Sequence, residues 1–123
     1  IHATSERDLV ERAVTISLHG HDGLHESYTR RLVVDALDLI VLLARFADGQ
    51  RKVVKLAEPY RDEHGHTKFN EVFGYDHEGY ENGRTKGRFR CLGVSRYLER
   101  FKRAGIDLSP ETFHEAPKAP TRA

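Results

Sequence analysis

The segment Leu39–Phe46 is almost wholly apolar, runs into Ala47-Asp48-Gly49-Gln50, and gives way to Arg51–Glu58, where Val53, Val54 and Leu56 are interleaved with lysines. The first run is too short for an ordinary buried helix but has the length and composition of a buried strand. Asp-Gly supplies a turn, because aspartate tolerates and glycine favours the backbone angles that a tight reversal needs. The second run reads as a half-exposed strand. These residues therefore predict an antiparallel β-hairpin, around which the other elements must pack.

Upstream, Ser5–Leu18 places Leu9, Val10, Ala13, Val14, Ile16 and Leu18 at helical spacing, with Ser5 as N-cap and Asp8 as its capping-box partner. His19–His25 breaks that helix with Gly20, Asp22 and Gly23. A second helix is predicted over Ser27–Leu37, with Tyr28, Leu32, Val33 and Ala36 as its apolar stripe and Arg30 and Arg31 outward.

Downstream, Tyr60–His66 reads as a polar turn and Thr67–Tyr75 as a strand, on Phe69, Val72, Phe73 and Tyr75. Asp76–Lys86, with Gly79 and Gly83, predicts an exposed loop, and Gly87–Leu92 a short strand. Val94–Ala104 predicts a helix stopped by Gly105, and Ser109-Pro110-Glu111 the start of one further turn. Beyond Glu115 the composition predicts disorder. The fold class is α/β, with two or three helices and a small, mainly antiparallel set of strands. One folded unit is expected over residues 1–108, with 109–123 mostly a disordered tail.

The 123 residues are 38% hydrophobic and 32% charged, a polar balance that suits a small domain or a piece that packs on a partner. A net charge of +1 gives no global attraction to nucleic acid or an anionic membrane. Cys91 is the only cysteine, which excludes an internal disulfide and agrees with a cytoplasmic setting. The longest apolar run falls far short of the roughly 20 residues that span a bilayer. The chain contains no Met, so Ile1 is not an initiator, and the sequence is expected to be a fragment of a longer protein.

Three local clusters carry chemistry. His19, His21 and His25 have a spacing open to zinc, but they lie on a glycine-rich loop without cysteine, so no metal is assigned there or at His64 and His66. Arg84, Lys86, Arg88, Arg90, Arg96, Arg100, Lys102 and Arg103 form a basic run with Phe89 and Tyr97 between them. Such a run suits edge protection, a contact with a neighbouring subunit or, in third place, single-stranded nucleic acid. Cys91, between arginines, reads as a buried strand cysteine or as a thiol of lowered pKa.

Two stretches together resemble a known family. Ile1-His2-Ala3-Thr4-Ser5 is similar to a histidine box, and Ala36-Leu37-Asp38-Leu39-Ile40-Val41, followed by Arg45, Asp48-Gly49, Arg51, Val53 and Ala57-Glu58, is similar to a second motif. Both occur in the C-terminal half of the secretion ATPases, the motors of type II and type IV secretion, Vir-type conjugation and Tad-type pilus assembly. Arg7-Asp8-Leu9 with Arg12, Phe69–Phe73, Gly93-Val94 and Tyr97–Gly105 continue the resemblance, which spans about residues 1–108 and is most specific in its middle third.

The resemblance implies that the chain is the C-terminal part of a RecA-like P-loop ATPase core, in a cytoplasmic homo-hexameric ring docked on inner-membrane secretion or pilus platform proteins. It implies a γ-phosphate-sensing role for His2, since an imidazole beside a phosphate donates a hydrogen bond and changes charge near neutrality. Arg45, Arg51, Arg88, Arg90, Arg96 and Arg100 are the candidate subunit-interface residues. ATP and Mg2+ belong to the full-length parent. This chain has no Gly-x-x-x-x-Gly-Lys-[Ser/Thr] loop to cradle phosphates and no acidic strand end for magnesium, so it is expected to be inactive alone. Thr4 replaces the usual asparagine of the histidine box, and Asp76–Lys86 has no clear counterpart. The alternative, from another functional class, is a stand-alone binding module using residues 84–103 for nucleic acid or an acidic protein.

Overall fold

The computed structural model describes residues 1–113. Helix α1 (Glu6–His19) starts as the sequence predicts. Ser5 accepts the Asp8 N–H at 3.1 Å, and Asp8 accepts the Thr4 N–H at 2.8 Å. Two otherwise unsatisfied amides at the helix start are thereby closed. Helix α2 (Glu26–Ala36) packs against it, and four strands follow: β1 (Ile40–Arg45), β2 (Arg51–Arg61), β3 (Thr67–Glu81) and β4 (Arg84–Cys91). The sheet order is β1-β2-β3-β4 and every neighbouring pair is antiparallel, so the chain simply meanders.

Val10, Val14 and Val34 of the helices meet Ile40 and Leu42 of β1, with Leu9, Leu18, Val33, Leu37, Val54 and Phe69 around them. Each fully buried aliphatic side chain contributes about 1.5–3 kcal/mol. Alternation then turns Val41 and Leu43 to the other face of β1.

Three expectations are corrected. Asp76–Lys86 is not a loop: β3 continues to Glu81 and β4 begins at Arg84, joined by Asn82 and Gly83. Both turn residues have positive φ, 50° and 73°, the conformation of a two-residue hairpin turn whose twist matches the strands. The helix predicted over Val94–Ala104 shrinks to α3 (Leu98–Arg103) because Ser95 and Arg96 are engaged elsewhere. Its C-terminus is nonetheless closed as expected, with Gly105 at φ 77° and the Ile106 N–H reaching the Phe101 carbonyl at 2.9 Å. On α2 the buried positions are Thr29 and Val34, while Tyr28 and Leu32 of the predicted stripe are exposed. Pro110–Phe113 forms a 3-10 turn, with Phe113 stacked on Phe73 at 6.0 Å. The disorder predicted beyond Glu115 lies outside the described residues.

Candidate functional site

His2 is exposed just ahead of the α1 N-cap, beside Ile1, Arg12, Thr15, Ile16 and His19 in a shallow hollow. Arg12 is drawn away by Asp8, one helical turn before it, at 3.0 Å. No carboxylate lines this hollow, and no group of three or more His, Cys, Asp or Glu among the described residues is placed to hold a metal. His2 thus has the exposure a phosphate contact needs, but no partner among the described residues that would complete a reaction centre.

The six arginines named from the sequence do not converge. Arg45 and Arg51 stand opposite one another where β1 meets β2. Arg88 and Arg90 lie on β4 and are met by acids of β3, Arg88 by Glu78 at 3.6 Å and Arg90 by Asp76, while Lys86 meets Glu81 at 3.0 Å. The part of β3 that the sequence reads as loop thus carries the counter-charges of Lys86, Arg88 and Arg90. Such compensation weakens the phosphate attraction on which the nucleic-acid reading depends. Arg100 lies 3.8 Å from Asp38. Arg96 differs: its guanidinium stacks on Tyr60, 3.9 Å from the ring centre, and has no ion pair among the described residues.

What fixes Arg96 is a residue matched only as part of a motif. Glu58 on β2 is 3% exposed. One of its oxygens accepts the Ser95 hydroxyl; the other accepts the Arg96 N–H at 2.8 Å and the Asn70 amide at 3.0 Å. Asn70 also donates to the Val94 carbonyl at 2.9 Å, and Ser95 accepts the Tyr97 N–H at 3.1 Å. Ser95, Arg96 and Asn70, which donate to the buried carboxylate, bring in β3 and the β4–α3 connection, so the network clamps that connection to the middle of the sheet. The remaining signal in the sequence is a glutamate followed directly by Pro59 at the apolar end of a strand.

Other ion pairs tie the helices to the sheet. Lys55 bridges Glu6 of α1 at 3.2 Å and Glu71 of β3 at 2.6 Å, and Arg61 grips Asp35 through both oxygens at 2.8 and 2.9 Å. Arg30 joins Glu11 of α1 to Glu26 of α2. Hydrogen bonds from Arg30 hold the Glu11 carboxyl below its ordinary value, and those from Arg61 do the same for Asp35. A carboxyl that titrates lower when folded adds stability above the unfolded value, about 4, and loses it as pH falls through the folded value. The urea midpoint is therefore expected to fall on acidification below pH 4, and Glu11→Gln to make that fall shallower. Parallel acid titrations of both proteins followed by circular dichroism check this.

Cys91 is half-buried, and its thiol donates to the Phe113 carbonyl at 2.7 Å, in keeping with the strand-cysteine reading. Among the described residues no helix is long and apolar enough to cross a membrane. Searches of the sequence against family models and against curated proteins return no match.

Proposed function

We propose that this chain is the C-terminal portion of a secretion-type ATPase and serves as a mechanical element, transmitting ATP turnover in the parent to movement of neighbouring subunits. The reading rests on four motif residues of the β1–β2 hairpin, Asp48, Gly49, Ala57 and Glu58, which have definite jobs there. Asp48 accepts the Gln50 N–H at 3.0 Å and also the Thr85 N–H, fastening the hairpin turn to β4. Gly49 takes a φ of 83° that a side chain would strain. Ala57 is fully buried opposite Ile40, and Glu58 holds the connection to α3. A motif whose members brace one rigid unit suits a part that transmits force.

On this proposal the rest of the RecA-like core, with its phosphate loop, ATP and Mg2+, lies in the parent outside these 123 residues, and His2 approaches the γ-phosphate from this side. The parent is a homo-hexameric ring at the cytoplasmic face of the membrane, working with platform proteins. Pilin, secreted protein or DNA is the cargo class. The isolated chain is expected to show no ATP hydrolysis above a buffer control, even with excess Mg2+. Turnover that co-purifies with this chain through several columns would overturn the assignment of catalysis to the parent.

A further inference from the structure

We infer that the sheet face turned away from the helices is the seat of the chain's own proline segment: Pro117 and Pro120 pack on a strip of aromatic rings formed by Phe46, Tyr75, His77, Tyr80 and Phe89. This goes beyond the proposed motor role and does not depend on it. It leaves the outer edge of β1 free for the larger core that the motor role requires.

Strand alternation builds the strip. Val41, Leu56, Phe73 and Cys91 form a row across all four strands, on the side opposite the buried Ile40, Leu42 and Ala57. Tyr75 follows Phe73 by two residues and Phe89 lies directly across from it, so both share that side. Their rings meet edge-on at 5.5 Å. Phe46, just past β1, meets Tyr75 at 5.7 Å and His77 at 5.0 Å, and His77 meets Tyr80 at 5.0 Å. The Tyr80 hydroxyl accepts the Ala47 N–H at 3.2 Å, which fixes that ring in place. Yet Tyr80 is 51% exposed and Phe89 53%. Rigid, open aromatic rings of this kind suit an extended proline segment, which presents apolar rings and loses little conformational freedom on binding.

The chain supplies such a segment close at hand. Ala116-Pro117-Lys118-Ala119-Pro120 carries two prolines three apart, which fall on the same side of an extended helix with three residues per turn. Residues 114–123 hold too few apolar side chains to build a core of their own, so any order there has to come from a surface. Phe113 stacks on Phe73 at 6.0 Å and its carbonyl accepts the Cys91 thiol at 2.7 Å, so the segment departs from the same side of the sheet as the strip. At about 3.1 Å per residue, Pro117 reaches about 12 Å from Phe113 and Pro120 about 22 Å. At about 3.3 Å per strand residue, His77 and Tyr80 lie about 13 and 23 Å from Phe73 along β3. The two spacings match, so a segment that follows β3 brings its prolines level with His77 and Tyr80.

Trypsin cleavage after Lys118 in the full chain tests this. It is expected to run about tenfold or more slower than in a double variant, Pro117→Ser with Pro120→Ser, because a docked segment must open before it is cut. Phe89→Ala leaves the sequence of the segment untouched and should lose the same protection, with the amide signals of the helical core unchanged. In the NMR spectrum of the full chain, contacts from the Pro117 and Pro120 rings to Tyr80 and Phe89 are expected, and neither variant should retain them. Cleavage as fast in the original chain as in both variants, absence of those ring contacts, or protection that rises with protein concentration, the mark of a segment docked on another copy, would each overturn the proposal. Failure here would leave the ATPase assignment standing, because that is read from nucleotide turnover.

Discussion

Glu58→Ala is expected to destabilise the chain by about 3 kcal/mol or more. The substitution does not merely delete a contact. It leaves the Arg96 N–H without its carboxylate acceptor and removes the Glu58 acceptor from the Ser95 hydroxyl and the Asn70 amide, in a site shielded from water. Burying a polar group without its partner costs about 1–3 kcal/mol. Because small domains are stable by only about 5–15 kcal/mol in total, a substantial fraction is at stake. The loss has a direction: the connection from Val94 to Tyr97 should detach first, freeing Arg96 from Tyr60. Urea unfolding measures the total, and amide hydrogen exchange at Arg96 and Tyr97 should show faster opening than in the helical core. Glu58→Gln keeps the shape and one acceptor oxygen, so about half the loss is expected. Equal losses for both variants would mean that charge, not hydrogen bonding, dominates.

Gly87→Ala should cost about 2 kcal/mol, although the position lies on an outer strand where alanine is ordinarily harmless. A Cβ there would lie 2.2 Å from the Asp76 carbonyl oxygen and 2.6 Å from the Tyr75 ring. The ring crosses the glycine and meets Phe89 edge-on at 5.5 Å, so the strand relies on a bare position to seat it. The carbonyl belongs to the backbone and cannot swing aside, so β4 must shift against β3. A control substitution at Gly20, which meets no atom within 4 Å and has a φ of −94°, isolates the clash from the general effect of replacing a glycine. Thermal melts of the two variants decide between these contributions. A Gly87→Ala midpoint equal to that of the unmodified chain would disprove the close approach.

The parts of the fold legible in the sequence are those written in neighbouring residues. Ser5 and Asp8 cap a helix they adjoin, and Asp48-Gly49 turns a hairpin whose strands flank it. The β3–β4 hairpin was hidden because its stabilisation is cross-strand. Gly79, Asn82 and Gly83 read locally as loop, and a register shift between His77 and Gly79 breaks the alternation that marks a strand. The charges on Asp76, Glu78 and Glu81 favour pairing only once Arg90, Arg88 and Lys86 are known to face them. The shift of the α2 stripe to Thr29 and Val34 likewise depends on how the helix meets α1 and the sheet. Glu58 was visible as a motif position but not as a clamp, because Asn70 is 12 residues away and Ser95 is 37. In the basic run only charge marks the arginines, and the structure separates Arg88 and Arg90, compensated on the sheet, from Arg96, held on Tyr60.

The central claim is that this chain is the transmitting part of a nucleotide-driven motor, and ATP hydrolysis by the intact natural protein that carries it is the most direct test. The expected result is Mg2+-dependent turnover by a protein several-fold heavier than 14.1 kDa, reduced about a hundredfold or more by His2→Ala with the ring still assembled. A natural protein of about 14 kDa, or turnover indifferent to the loss of the His2 imidazole, would contradict it.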